Sequence, residues 1–105
     1  MVHFINLFEV PAGREDEFFD AWKRVNAYMA AKPGYVSHQL HRSLRPDARF
    51  RFANTAVWES VQHWQDAHDA GFRQMLSGPE WADVTSTPAL YDVVHTGRDL
   101  APVAP

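Results

Sequence analysis

Residues Val2 to Val10 alternate as a β-strand does, and both of the resulting faces are largely apolar. Val2, Phe4, Asn6, Phe8 and Val10 point one way; His3, Ile5, Leu7 and Glu9 point the other. A strand of this kind needs a cover on each side, so it belongs in the middle of a layered domain.

The segments that follow supply the layers. Pro11-Ala12-Gly13 breaks the strand, and Glu15-Asp16-Glu17 suits the first turn of a helix, where the helix dipole favours negative charge. Phe18, Trp22, Val25 and Met29 then recur at helical spacing as one apolar stripe, which ends at Lys32-Pro33-Gly34. Tyr35 to Arg42 reads as a second strand, with Val36, His38 and Leu40 opposed to Tyr35, Ser37, Gln39 and His41. Arg45-Pro46-Asp47 turns the chain into a third strand from Phe50 to Trp58.

Ser60 can cap a helix carrying Val61, Trp64, Ala67 and His68, which Gly71 interrupts before a short helical stretch from Phe72 to Leu76. Leu90 to Thr96 is the expected fourth strand. The order β-α-β-β-α-β is the split βαβ of α+β ferredoxin-like domains, an antiparallel sheet with both helices on one face. The other face then lacks a cover, and a second copy packing sheet to sheet supplies one, which predicts a homodimer.

Composition narrows the function. With 105 residues, 46% hydrophobic and 22% charged, the chain has material for one core. Residues 1–98 are expected to form that domain and residues 99–105 a flexible Ala/Pro tail. A net charge of −3 and scattered Lys and Arg give no basic field for nucleic acid. No apolar run approaches a membrane span and no signal-peptide pattern opens the chain, which makes the cytoplasm the default compartment.

The absence of cysteine excludes disulfides, thiolate nucleophiles and thiolate metal sites. Redox chemistry would have to come from a cofactor, a substrate or dioxygen. The six histidines form no H-x-x-x-H or carboxylate-histidine cluster, so no metal site is expected. Gly-rich phosphate loops, nucleophile elbows and paired carboxylates are also missing, which argues against nucleotide binding and hydrolysis.

Asn54 and Trp58 lie an even number of residues apart on one strand and share a face with Phe50, Phe52 and Ala56. An amide among such neighbours either pairs with a nearby structural group or meets a ligand oxygen. Asn6 and Phe4 could join that face from strand one. His38 and His68 are the candidates for an imidazole facing a pocket, with an unperturbed pKa of ~6.5 suited to proton transfer.

Three segments carry a family resemblance: Ile5-Asn6-Leu7-Phe8-Glu9-Val10-Pro11-Ala12-Gly13, Lys32-Pro33-Gly34-Tyr35 and Asn54-Thr55-Ala56-Val57-Trp58-Glu59-Ser60. They resemble antibiotic-biosynthesis-monooxygenase domains over roughly Val2 to Thr96. The resemblance implies a dimeric α+β barrel with one pocket per subunit between sheet and helices.

One branch of that family oxidises anthrones to quinones with dioxygen and no prosthetic group. Its strand-three Asn and Trp match Asn54 and Trp58, its helix aromatic corresponds to Trp64, and Arg73 is the nearest counterpart of its arginine. A second branch degrades haem with an Asn on strand one, matched by Asn6. Its Trp and haem-ligating His fall on Ala67 and Leu76, and His68 could take the ligand's place only through a shifted helix.

The first branch matches better. The resemblance therefore implies a cofactor-free monooxygenase of an aromatic, polyketide-like substrate. Asn54, Trp58 and Arg73 would be catalytic, and Asn6, Phe52, Trp64, His38 and His68 would contact the substrate. Haem degradation is the enzymatic alternative. A non-catalytic dimeric domain that binds a small molecule is the other, since one fold hosts many functions.

Overall fold

Strand β1 (Val2–Glu9) lies in the interior of a four-stranded antiparallel sheet of order β2-β3-β1-β4, where β2 is Tyr35–Arg42, β3 is Phe52–Trp58 and β4 is Thr85–Tyr91. This is a computed structural model, and it describes residues 1–98. The expected Ala/Pro tail, residues 99–105, lies outside the described residues.

Helix α1 (Glu15–Ala30) buries Phe18, Ala21, Trp22, Val25 and Met29, the stripe its periodicity predicts. After β3 the chain forms two short helices, α2 (Val61–Ala67) and α3 (Ala70–Met75), and a 3₁₀ turn, Pro79–Trp81. Their apolar side chains pack on the same sheet face as α1. The architecture is the α+β ferredoxin-like fold. No described helix is long and apolar enough to cross a membrane.

The sheet register decides where the site lies. Between β1 and β3, Val2 pairs with Trp58, Phe4 with Ala56, Asn6 with Asn54 and Phe8 with Phe52, all facing the helices. The first two rungs join an apolar cluster with Val25, Met29 and Ala67; the last joins a second cluster with Phe18 and Trp22. The asparagine rung lies between the two clusters. Phe18, 1% exposed, anchors the second cluster, with its ring 4.9 Å from Phe8 and 4.7 Å from Phe52.

Four local expectations need correction. The fourth strand is Thr85–Tyr91, earlier than the Leu90–Thr96 read from β propensity. Pro88 argues against a strand interior, yet β4 is the sheet's edge, where the missing N–H breaks no ladder. The third strand begins at Phe52, so Phe50 falls outside it.

The break between α2 and α3 comes at His68-Asp69 and not at Gly71. Asp69 caps α3 by accepting from the Phe72 N–H at 2.9 Å. Gly71 lies inside α3, where any larger residue would carry a Cβ against the Tyr28 hydroxyl.

Finally, strict alternation placed Tyr35 opposite His38, but the β2–β3 register shifts between Tyr35 and Ser37. That irregularity puts Tyr35 opposite Trp58 and His38 opposite Ala56, on the helix side together.

Candidate active site

Between the sheet and the helices lies a cavity of about 410 Å³. Its floor is the strand face, with Phe4, Asn6 and Phe8 from β1, Asn54, Ala56 and Trp58 from β3, and Ser86 and Pro88 from β4. Its roof includes Trp22, Val25, Asn26 and Met29 of α1, then Trp64, His68, Phe72 and Leu76. None of the lining residues is Lys, Arg, Asp or Glu.

This apolar room contains unpaired polar atoms. Asn6 Oδ1, Asn54 Oδ1 and Trp64 Nε1 are buried without a hydrogen-bond partner among the described residues. Asn54 as a whole is 7% exposed. Each such group costs about 1–3 kcal/mol when left unpaired in an apolar setting. A ligand offering both donors and acceptors would recover that cost.

The imidazole of His68 sits in an aromatic cage. Its ring centroid is 4.4 Å from Trp64, 4.6 Å from Phe72 and 5.9 Å from Phe4. Nδ1 lies 2.6 Å from the Trp64 carbonyl oxygen, one helical turn back. Burial pushes the His68 pKa down from the usual imidazole value, opposed by that carbonyl and by the charge of Asp69.

Asp69 fixes this corner to α1. It accepts from the Tyr28 hydroxyl at 2.8 Å and pairs with Lys32 at 2.7 Å, besides capping α3. Chiefly the Lys32 ammonium, then the Phe72 N–H and the Tyr28 hydroxyl, hold its carboxyl well below the usual carboxylate range.

Asn54, Trp58, Asn6, Trp64 and His68, singled out from the sequence, thus line one cavity. Three other candidates stand outside it. Arg73 is exposed, its Nη1 donating to the His68 backbone carbonyl at 2.9 Å, so it brings no charge into the cavity. Phe52 is buried against Phe18, beneath the cavity. His38 is exposed, one layer behind the wall, with a ring nitrogen 3.0 Å from Asn26 Nδ2 and another contact to the Tyr35 hydroxyl.

The sequence reading missed Asn26, Tyr35, Trp81 and Ser86, all of which touch the cavity. Asn26 carried a signal: Trp22, Val25, Asn26 and Met29 form one helical face, and a lone amide in an apolar stripe marks a place where water or a ligand comes in.

The family profile described as antibiotic biosynthesis monooxygenase matches residues 1–75, most of the chain. The chain belongs to the antibiotic biosynthesis monooxygenase family. Deoxynogalonate monooxygenase of Streptomyces nogalater is 37% identical over 78 residues, covering 74% of this chain and 57% of that protein. The chain spans less than two thirds of the length of the curated relatives it matches first.

Among solved structures, one from Shewanella loihica PV-4 superposes with a TM-score of 0.80 at 35% identity, covering 90% of this chain and 95% of that one. SnoaB, a cofactor-independent oxygenase from Streptomyces nogalater, superposes with a TM-score of 0.77 at 29% identity, covering 90% and 94%. Ala67 is buried in the core and Leu76 lines the cavity.

Proposed function

We propose that the chain is a cofactor-independent monooxygenase that oxidises an anthrone-type, polycyclic aromatic substrate with dioxygen. The observation that carries this reading is the set of unpaired polar atoms, Asn6 Oδ1, Asn54 Oδ1 and Trp64 Nε1, around an otherwise apolar cavity of about 410 Å³. A flat ring system edged with hydroxyl and carbonyl oxygens complements such a surface: its faces meet Trp58, Trp64 and Phe72, and its oxygens meet the amides. The family membership and the relative described as a cofactor-independent oxygenase support the same reading.

The chemistry needs no redox-active protein group. A deprotonated anthrone can pass one electron to dioxygen, and the two radicals combine to a peroxide. Loss of water then leaves a carbonyl where a methylene stood. The net change is CH₂ + O₂ → C=O + H₂O. The protein's part is to orient the substrate oxygens through Asn54 and Asn6 as negative charge spreads onto them, and to keep the site dry.

Haem fits this cavity poorly. Its two propionates would find no Lys or Arg in the lining, and Leu76 cannot ligate iron, so an imidazole ligand could come only from His68 among the lining side chains. The chain also acts, on this reading, as a homodimer. The outer sheet face exposes a band in which Ile5, Leu7, Val57 and Ala89 are only half-buried, and a second copy of the sheet is the occupant its shape suits.

Oxygen uptake with dithranol tests the proposal, using wild-type protein beside an Asn54→Ala, Trp58→Phe double variant. Uptake that drops at least tenfold in the variant is expected. Binding of dithranol without uptake would make this a non-catalytic binding domain, and a stoichiometric Soret band on adding hemin without uptake would favour haem. Light scattering should give twice the chain mass; a monomer would remove the dimer from the proposal.

A further inference from the structure

Oxidation of the kind proposed above requires something to take a proton from the substrate before oxygen can react. Among the lining residues, the side chains that titrate are His68 and Tyr35. The Tyr35 hydroxyl is engaged with the His38 imidazole, on the solvent side of the wall.

We propose that His68 is the general base of the reaction and that Nε2 is the atom that takes the proton. The inference rests on the oxygenase reading and adds to it the residue that starts the chemistry.

The geometry fixes which nitrogen is free. A backbone carbonyl can only accept, so Nδ1, 2.6 Å from the Trp64 oxygen, carries the hydrogen in the neutral ring. Nε2 is then left with its lone pair, and no described residue donates to it. The helix break at His68-Asp69 turns this residue toward the cavity, and the Asp69 anchors to Tyr28, Lys32 and the Phe72 N–H hold the break in place.

The surroundings keep the ring unprotonated and ready. Phe4, Trp64 and Phe72 pack against the half-buried ring and disfavour its charged form. The charged groups nearby are Asp69, whose carboxylate is directed to Lys32 and Tyr28, and Arg73, which donates to the His68 carbonyl.

The proton and electron balance closes on this one base. Nε2 takes a C–H proton, the carbanion passes an electron to dioxygen, and recombination gives a peroxide anion, which recovers that proton from His68. His68 then removes the second C–H proton as the O–O bond breaks and the carbonyl forms. The departing hydroxide takes the proton from the imidazolium and leaves as water, returning His68 to its starting state.

The test reads proton transfer apart from oxygen chemistry. Dithranol is mixed anaerobically with wild-type protein near neutral pH, and the long-wavelength absorption of its anion is followed. The band is expected with wild type and lost in His68→Gln, whose side-chain amide can still donate to the Trp64 carbonyl. Binding, followed by tryptophan fluorescence, should change less than about threefold. In air, kcat should fall by about 100-fold or more, and added imidazole should restore part of it in His68→Ala.

An anion band and a kcat both unchanged in His68→Gln overturn the role of His68 while leaving the oxygenase reading intact. A His68-dependent band without oxygen uptake supports the base and overturns the oxygenase. Should His68→Gln fail to fold, the wild-type band decides: under the proposal it persists below pH ~6.5, and its disappearance at or above that pH overturns the assignment.

Discussion

Replacing Asn54 by leucine is expected to stabilise the ligand-free protein while removing its activity. The Asn54 side chain is 7% exposed, and its Oδ1 has no hydrogen-bond partner among the described residues. A buried acceptor left unpaired costs about 1–3 kcal/mol. Asn6 Oδ1 across the rung is unpaired too, so deleting the Asn54 amide takes no donor from it.

Leucine has the same branched shape, with two bulkier methyl groups in place of the amide oxygen and nitrogen, and the adjoining cavity of about 410 Å³ has room for them. A net gain of about 1 kcal/mol corresponds to a rise in Tm of about 4–8 °C for a domain of this size class. Thermal unfolding followed by circular dichroism checks it, at a single protein concentration because association shifts Tm.

Saturating dithranol should add about 2.7 kcal/mol to wild type at 100 times Kd and far less to the variant. A Tm several degrees below wild type would mean that the Asn54 amide is a paired structural group, and the argument from unpaired atoms would fall with it.

Phe18→Ala should cost about 3–5 kcal/mol in chemical denaturation, because the ring is 1% exposed and packs on Phe8, Phe52 and Trp81; a loss under about 1 kcal/mol would contradict its place at the centre of that cluster. Gly71→Ala should destabilise by about 1–3 kcal/mol, since its Cβ would strike the Tyr28 hydroxyl and push it from Asp69; Tyr28→Phe in the same background should recover part of the loss if that clash is the cause. Burial lowers the His68 pKa in the folded chain, whereas the unfolded chain protonates it below pH ~6.5. Stability at this residue therefore falls as pH drops through that value toward the lower folded pKa. His68→Gln should accordingly lose less Tm than wild type between about pH 7 and about pH 5.5, and equal losses would show that other groups carry the acid sensitivity.

The parts of the structure legible in the sequence were those with a repeating pattern. The Phe18-Trp22-Val25-Met29 stripe and the two-faced β1 gave the layers, and parity along β3 put Asn54 and Trp58 on one face. Features that depend on one residue acting against its neighbours were hidden. The irregularity after Tyr35 reverses local parity, so Tyr35 joins the cavity against the alternation. Asp69, besides its local cap on α3, is met by Tyr28 and Lys32 from some forty residues earlier, a junction no local pattern announces.

Pro88 reads as a strand breaker until β4 is known to be an edge. Arg73 is the nearest arginine along the chain, and distance along a chain says little about direction on a helix of six residues.

The pairing of Asn6 with Asn54 ties the proposed chemistry to the register of the sheet and limits how such a chain can change. A slip of one residue between β1 and β3 would put the two amides on opposite faces of the sheet and turn outward either Phe4 and Phe8 with Asn6 or Phe52 and Trp58 with Asn54. No drift in strand register can therefore alter the chemistry and leave a folded protein behind. New substrate preferences have to arise on the roof, where the break at His68-Asp69 and the short helices beside it can be reshaped without disturbing a single ladder hydrogen bond.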